Sequence, residues 1–279
     1  MRFGYTLPNH YGVEDPADLV GLASEAEDLG FDSVWVSHHL LNLDYIADRL
    51  GTKPYYDPLT VLTWVASGTE RIRLGTSVLV LPLLEPMALS KQLATIDIMS
   101  GGRLDVGVGV GGMRAEIEAI GFDLANRGTY TDESIEVMKA LWTGEAVSYA
   151  GRHFSFSGAL ASPAPLQAPH PPLLVGGSSD PSLRRVARYG DAWHASMLLP
   201  DRMAPRLERL DQELEAVGRT RSDLSLSVRL VVEDAVPHDT VEAYAELGVE
   251  EVALEIETGD VAEQRRWLRA LAAELIARS

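Results

Sequence analysis

Two adjacent histidines, His38 and His39, stand where the apolar run Val34-Trp35-Val36 gives way to Ser37. Histidine titrates near neutral pH, so one of them beside a bound substrate could take or give a proton, and two together could hold a metal. A zinc site wants both ligands on one side. Successive residues of a strand point to opposite sides, so this spacing disfavours a metal hydrolase, and no metal is expected. No His-x-His pair offers a better ligand set, although His10 and His194 could converge with them. The same alternation sorts the run. Ser33, Trp35, Ser37 and His39 share one side; Val34, Val36 and His38 share the other. Branched apolar residues suit an interface with helices, so His39 should face a polar mouth and His38 should point away from it.

Two further stretches could bind a ligand. In LDVGVGVGG (104–112) the valines keep one parity, and Asp105 with the glycines, including Gly109 and Gly111, keeps the other. If the valines face helices, bare backbone faces the interior and leaves room for a planar ligand, unless it serves only tight packing. In LLVGGSSDP (173–181) a strand runs into Gly176, Gly177 and Ser178 and then into a helix. Free N–H groups and the dipole of a helix start favour an anion there, and Arg184 and Arg185 lie one turn further on. A plain helix capped by Asp180 is the competing reading. No Walker lysine follows, so a nucleotide triphosphatase is unsupported.

The elements that must hold these residues alternate. Strands are expected at 2–7, 33–38, 72–81, 104–109, 173–175, 191–195, 224–232 and 251–256. Helical patterns lie between them, with starts at Asp15-Pro16 and Asp57-Pro58 and stops at Gly30 and Gly101-Gly102. The stretch 146–172 breaks the rhythm and reads as a hairpin plus a proline-rich extended insertion. Eight βα units predict an α/β fold closed as a (β/α)8 TIM barrel, a single domain over 1–279. The open doubly wound alternative wants a glycine-rich turn after its first strand, where this chain has Leu7-Pro8-Asn9-His10. In a barrel the chemistry sits at the C-terminal strand ends. That selects Asn9, His10, Ser37 to Asn42, Thr76 to Leu81, Gly109 to Gly112, Gly176 to Ser178 and Trp193 to Ser196.

Composition narrows the function classes. The chain has 279 residues, no cysteine and a net charge of −17. Disulfides, thiolate ligands and a cysteine nucleophile are excluded, and no basic footprint for nucleic acid is visible. No long apolar run suggests a membrane span, and the first residues do not read as a signal peptide. A cytoplasmic enzyme acting on a small molecule is the expectation.

Four blocks, GFDSVWVSHH (30–39), ERIRLGTSVLVLP (70–82), ALSKQLATIDIMSGGRLDVGVGVG (88–111) and PPLLVGGSSDPSLRRVARYGDAWH (171–194), together resemble the luciferase-like monooxygenase family, above all its deazaflavin (coenzyme F420)-dependent branch. The resemblance runs from Arg2 to about Trp193; beyond that only the pattern matches. It implies a barrel with a flavin or deazaflavin at its mouth. It also implies hydride transfer between coenzyme F420 and a small organic substrate, with His39 acting at the reactive ring carbon. The alternatives are an FMN-dependent monooxygenase using O2 and a non-catalytic flavin-binding relative. Ser77-Val78 matches a bulge that often holds a non-proline cis peptide and backs the central ring. With Ser37, Thr76, Gly109 and Gly111 it would line the cofactor, while Gly176, Gly177 and Ser178 would hold its phosphate. His10, Tyr56 and His194 would touch substrate, with 146–165 as a lid. A separate reductase and pairing of two copies are further implications. The chain departs from the branch at three places. His38 stands where an acid is usual, Gly112 where some dehydrogenases have glutamate (Glu116 being the nearest acid), and Leu43 where they have tryptophan. Sugar-phosphate dehydrogenation is therefore disfavoured.

Overall fold

The computed structural model describes residues 1–232 and 238–277. Its strands are β1 (Arg2–Thr6), β2 (Ser33–Val36), β3 (Arg73–Thr76), β4 (Leu79–Val80), β5 (Leu104–Gly109), β6 (Val147–Ala150), β7 (Ser155–Ala159), β8 (Leu173–Gly176), β9 (Ala192–Ser196), β10 (Ser225–Val231) and β11 (Glu251–Glu255). The helices are α1 (Ala17–Asp28), α2 (Asp44–Leu50), α3 (Pro58–Gly68), α4 (Pro86–Met99), α5 (Arg114–Ala119), α6 (Arg127–Trp142), α7 (Asp180–Tyr189), α8 (Pro200–Glu215), α9 (His238–Glu246) and α10 (Val261–Leu271). The main sheet runs β3-β2-β1-β11-β10-β9-β8-β5, and β5 returns to pair with β3 through Leu74↔Leu104 and Gly75↔Asp105. That pairing closes eight parallel strands into the expected barrel. No described helix is long and apolar enough to cross a membrane.

Side-chain alternation separates two cores. Val34, Val36, Leu104, Val106 and Val108 point outward into the large apolar layer shared with the helices. Trp35 points inward, with Leu174, Ala192 and Ala253, and its indole stacks on His194 at 4.7 Å between centroids. Two glycines make that indole possible. A methyl group at Gly75 would lie 2.2 Å from the Trp35 ring, and one at Gly4 would lie 2.6 Å from its Nε1. Beneath the indole, towards the N-terminal strand ends, the interior is polar: Ser33 and Trp35 both donate to the Glu251 carboxylate, and Arg73 pairs with Asp105.

Three local expectations need correction. The long strand expected over 72–81 is two pieces, β3 and β4, separated at Ser77-Val78, whose peptide bond is cis as the family resemblance implied. The loop expected before Asp57 contains the short helix α2. The insertion is a hairpin, β6 with β7, as expected, but none of its residues lines the mouth cavity, where a lid was expected. Glu133 of α6 accepts hydrogen bonds from the backbone of Arg152, His153 and Phe154. Asp97 of α4 accepts three more from Leu166 and Gln167, so the segment is fastened to the barrel's flank.

Candidate active site

One cavity of about 900 Å³ opens at the C-terminal strand ends. His10, Ser37, His39, Ser77, Val78, Gly109, Gly111, Gly176 and Gly177 all line it, and so does His38. Four of the expected residues do not. Thr76 is buried behind the wall, where its hydroxyl donates to the carbonyl of Gly107 and accepts from the N–H of Gly107, each at 2.8 Å. Ser178 is exposed on the turn. Tyr56 turns outward and donates to the carbonyl of Glu14. His194 lies one layer below, fully enclosed between the hydroxyls of Ser77 at 2.8 Å and Ser227 at 2.7 Å. Burial, and then the charge of Arg229, push His194 down to about 3, so at neutral pH it is an uncharged strut beneath Ser77.

The strand-five glycines do not simply leave a hole. A methyl group on Gly107 would fall 1.9 Å from the Thr76 carbonyl oxygen, and one on Gly109 would fall 2.8 Å from Val78. Gly176 meets the same valine at 3.1 Å. The missing side chains therefore admit the Ser77-Val78 bulge, and the bulge forms the wall. Only at Gly112, among the glycines of 107–112, would an added methyl group meet nothing. The alternation along β2 holds as far as Ser37. The strand ends at Val36, and both histidines beyond it reach the cavity.

His39 is held from two sides. Its Nδ1–H donates to Glu116 of α5 at 2.8 Å, and its Nε2 faces the hydroxyl of Tyr45 at 3.0 Å. Glu116 is buried and also accepts the backbone N–H groups of Leu40 and Leu41. Burial opposes its charge, but the bond from His39 and those two N–H groups prevail and hold its pKa below the usual carboxylate range. A carboxylate on Nδ1 fixes the neutral ring with its Nε2 lone pair toward Tyr45 and the cavity, the form a proton acceptor needs.

The opposite wall carries a second cluster. Glu255 accepts from His10 Nε2 at 2.8 Å and from the Tyr11 hydroxyl at 2.9 Å, and it pairs with Arg229 at 3.2 Å. Burial works against this carboxylate, yet His10 and Arg229 draw it down to about 2. Arg229 donates onward to the Ser37 hydroxyl and to the carbonyl of Ser77, which ties the bulge to β10. Arg229 and Glu255 are not among the strand-end residues that the sequence selects. The alternation carries the signal, since in SVRLV and EVALE the inward parity holds Arg229 and Glu255. In the sequence Glu116 stands out only as the acid nearest to Gly112.

The turn after β8 is open, with Gly177 at φ +96. The cap of α7 is Ser179, not Asp180: its hydroxyl accepts from the N–H of Ser182, while Asp180 pairs with Arg206. Arg185 is committed to Asp132 and Arg184 lies 3.7 Å from Glu213.

A closed parallel barrel with a polar, histidine-bearing cavity at its C-terminal mouth is the plan of an enzyme that handles a small molecule. The chain belongs to the luciferase-like monooxygenase family, whose profile matches residues 1–275, and the protein is an oxidoreductase of that family. The match thus extends over the C-terminal third. The chain is 30% identical over 250 residues to an F420-dependent glucose-6-phosphate dehydrogenase of Microbacterium testaceum, covering 86% of this chain and 70% of that one. Its fold is similar to an F420-dependent secondary alcohol dehydrogenase in complex with an F420-acetone adduct (TM-score 0.81, 18% identity, 97% of each chain). It is also similar to the oxygenating constituent of 3,6-diketocamphane monooxygenase of Pseudomonas putida in complex with FMN (TM-score 0.67, 19% identity, 82% of this chain and 66% of that one).

Proposed function

We propose that this protein transfers a hydride between coenzyme F420 and a small organic substrate, with His39 as the proton-handling residue. The observation that carries the reading is the Glu116–His39 pair at the rim of the cavity that Ser77, Val78, Gly109 and Gly177 also line. The residues fit a planar ring. The bulge wall offers backbone and a valine rather than a charged group, and the Tyr55 hydroxyl on the same cavity is buried without a partner among the described residues. When bound, the deazaflavin would carry the two electrons, accepting the hydride as the substrate is oxidised and giving it back in the reverse direction. Ser77, Val78, Gly109 and Gly111 would support its ring, and Gly176, Gly177 and the exposed Ser178 its phosphate. His10 would meet the substrate from the far wall.

On this reading His39 takes the proton of a substrate hydroxyl at Nε2 during oxidation and returns it during reduction. Glu116 keeps Nδ1 protonated throughout and steadies the imidazolium. Tyr45 and Tyr55, from the segment around α2, narrow the mouth and limit water. The dehydrogenase relative supports F420. Its sugar phosphate is not carried over, because Gly112 and Leu43 stand where such enzymes have glutamate and tryptophan. A separate reductase would supply reduced cofactor, with the protein working in the cytoplasm and two copies pairing.

The test compares reduced F420 and reduced FMN for binding and for oxygen consumption. Binding of F420 with slow oxygen uptake is expected. Retention of FMN with fast uptake would replace this reading with the monooxygenase one. Binding without turnover, with the His39→Ala protein indistinguishable from wild type, would mark a non-catalytic flavin-binding relative.

A further inference from the structure

We infer that His38 is a ligand-positioning residue of this cavity, presenting a fixed Nε2–H donor to a carbonyl oxygen on the edge of the bound ring. The inference rests on the oxidoreductase reading and adds to it a residue that the alternation along β2 directed away from the site.

Geometry assigns the tautomer. The backbone N–H of Val80 donates to His38 Nδ1 at 3.0 Å. A nitrogen that accepts carries no proton, so the hydrogen of the neutral ring is on Nε2. His38 is 5% exposed as a residue and lines the cavity, and its Nε2 has no hydrogen-bond partner among the described residues. An N–H donor that the protein leaves free at the wall of a cavity is open to an acceptor carried by a ligand. Burial keeps the ring uncharged, at about 4, so it remains a donor of one proton at neutral pH.

The location names the acceptor. Val80 belongs to β4, directly after the Ser77-Val78 bulge, and pairs with Gly109. His38 is therefore anchored to the same wall against which a planar ring would rest. A donor beside the wall meets the edge of that ring, where the flavins and deazaflavins carry carbonyl oxygens. The neighbouring histidines are then opposite in sense. His39 has its proton on Nδ1 and offers a lone pair at Nε2; His38 accepts at Nδ1 and offers a proton at Nε2. An acid, usual at this position in the F420 branch, would be charged and could only accept.

Long-range proton–nitrogen correlation spectra of the histidine rings test this on the full chain. The His38 signal is assigned by its absence from His38→Gln. It should report an Nε2–H tautomer in the free protein, and its ring proton should move downfield when the oxidised F420 ring or FMN is added. Binding of the ring to His38→Leu should weaken about tenfold, and His38→Gln, which keeps an N–H near the Nε2 position, should recover most of that. Ring binding with an unmoved His38 signal would overturn the inference and leave the oxidoreductase reading standing. An Nδ1–H tautomer would overturn it without any ligand. Failure of the wild type to bind either ring would remove both.

Discussion

At the scale of single residues, Glu116 gives His39 its direction. A histidine at the end of a strand can turn freely, whereas one whose Nδ1–H meets a buried, N–H-saturated carboxylate has one tautomer and one orientation. His39→Ala should lower kcat by about 10²- to 10⁴-fold, the usual worth of general acid–base catalysis, with little change in cofactor affinity. Glu116→Gln should fall between that and wild type; unchanged steady-state kinetics in both variants would remove His39 from the chemistry. Two other histidines set an acid limit on stability. His38 and His194 are held at about 4 and about 3, below the ordinary value of 6.5. Between those values the unfolded chain takes up protons that the folded protein refuses. Stability is therefore full above pH 6.5 and declines as pH falls toward 4 and 3, by about 1.4 kcal/mol per pH unit for each histidine. Urea midpoints measured from pH 7 to 4 should fall, and His194→Gln should be less stable at pH 7 but shallower in slope. A flat wild-type profile would contradict this. The sequence points to His39 but not to its partner Glu116 or to the facing pair Arg229 and Glu255, because these come from α5, β10 and β11, and only closure of the barrel brings them to the same cavity as the end of β2. It also put His38 on the wrong side, since alternation ceases to hold once the strand ends at Val36.

At the scale of elements, the wall of the site depends on how β3 and β5 are joined. Only two residue pairs align them, Leu74↔Leu104 and Gly75↔Asp105, and above these the Thr76 hydroxyl takes over by bonding both polar groups of Gly107. Thr76→Val keeps the shape and leaves both groups unpaired in a buried place, which should destabilise by about 1–3 kcal/mol in urea unfolding. Gly107→Ala should be worse, because the new methyl group meets backbone oxygen at 1.9 Å and not a side chain that can turn away. If Gly107→Ala were as stable as wild type and bound the ring normally, the bulge would not depend on that glycine. This junction explains which parts of the fold were legible. Helix caps such as Asp57-Pro58 and runs such as Leu104–Gly109 carry local signals, and the structure follows them. The break at Ser77-Val78 has no local signal, since TSVLV alternates like any strand. The glycines of β5 do make space, but next to Gly109 it is filled by Val78 of the bulge between β3 and β4, which no local pattern reveals.

At the scale of the whole molecule, the net charge of −17 opposes the approach of any anionic ligand. The mouth does not reverse that sign. Arg49, Arg114 and Arg229 line the cavity, but so do Asp44, Glu255 and Glu257, and Arg229 is already engaged with Glu255. Local charge is therefore balanced, and the long-range field is that of the whole chain. Salt acts on that field first: the Debye length shrinks from about 30 Å at 0.01 M to about 8 Å at 0.15 M. For a protein that steers its ligand by attraction, added salt slows association; here it should quicken it. The association rate constant of FMN, or of a deazaflavin carrying a phosphate, measured by stopped-flow fluorescence, should rise several-fold across that range, while a neutral deazaflavin lacking the phosphate should be indifferent. The dissociation rate should change less, because on the proposed binding mode the ligand's contacts at the turn after β8 and at the bulge would lie within a screening length in either buffer. If association of the charged ligand instead slows with salt, the arginines of the mouth outweigh the other charges of the chain, and the entry path runs along them.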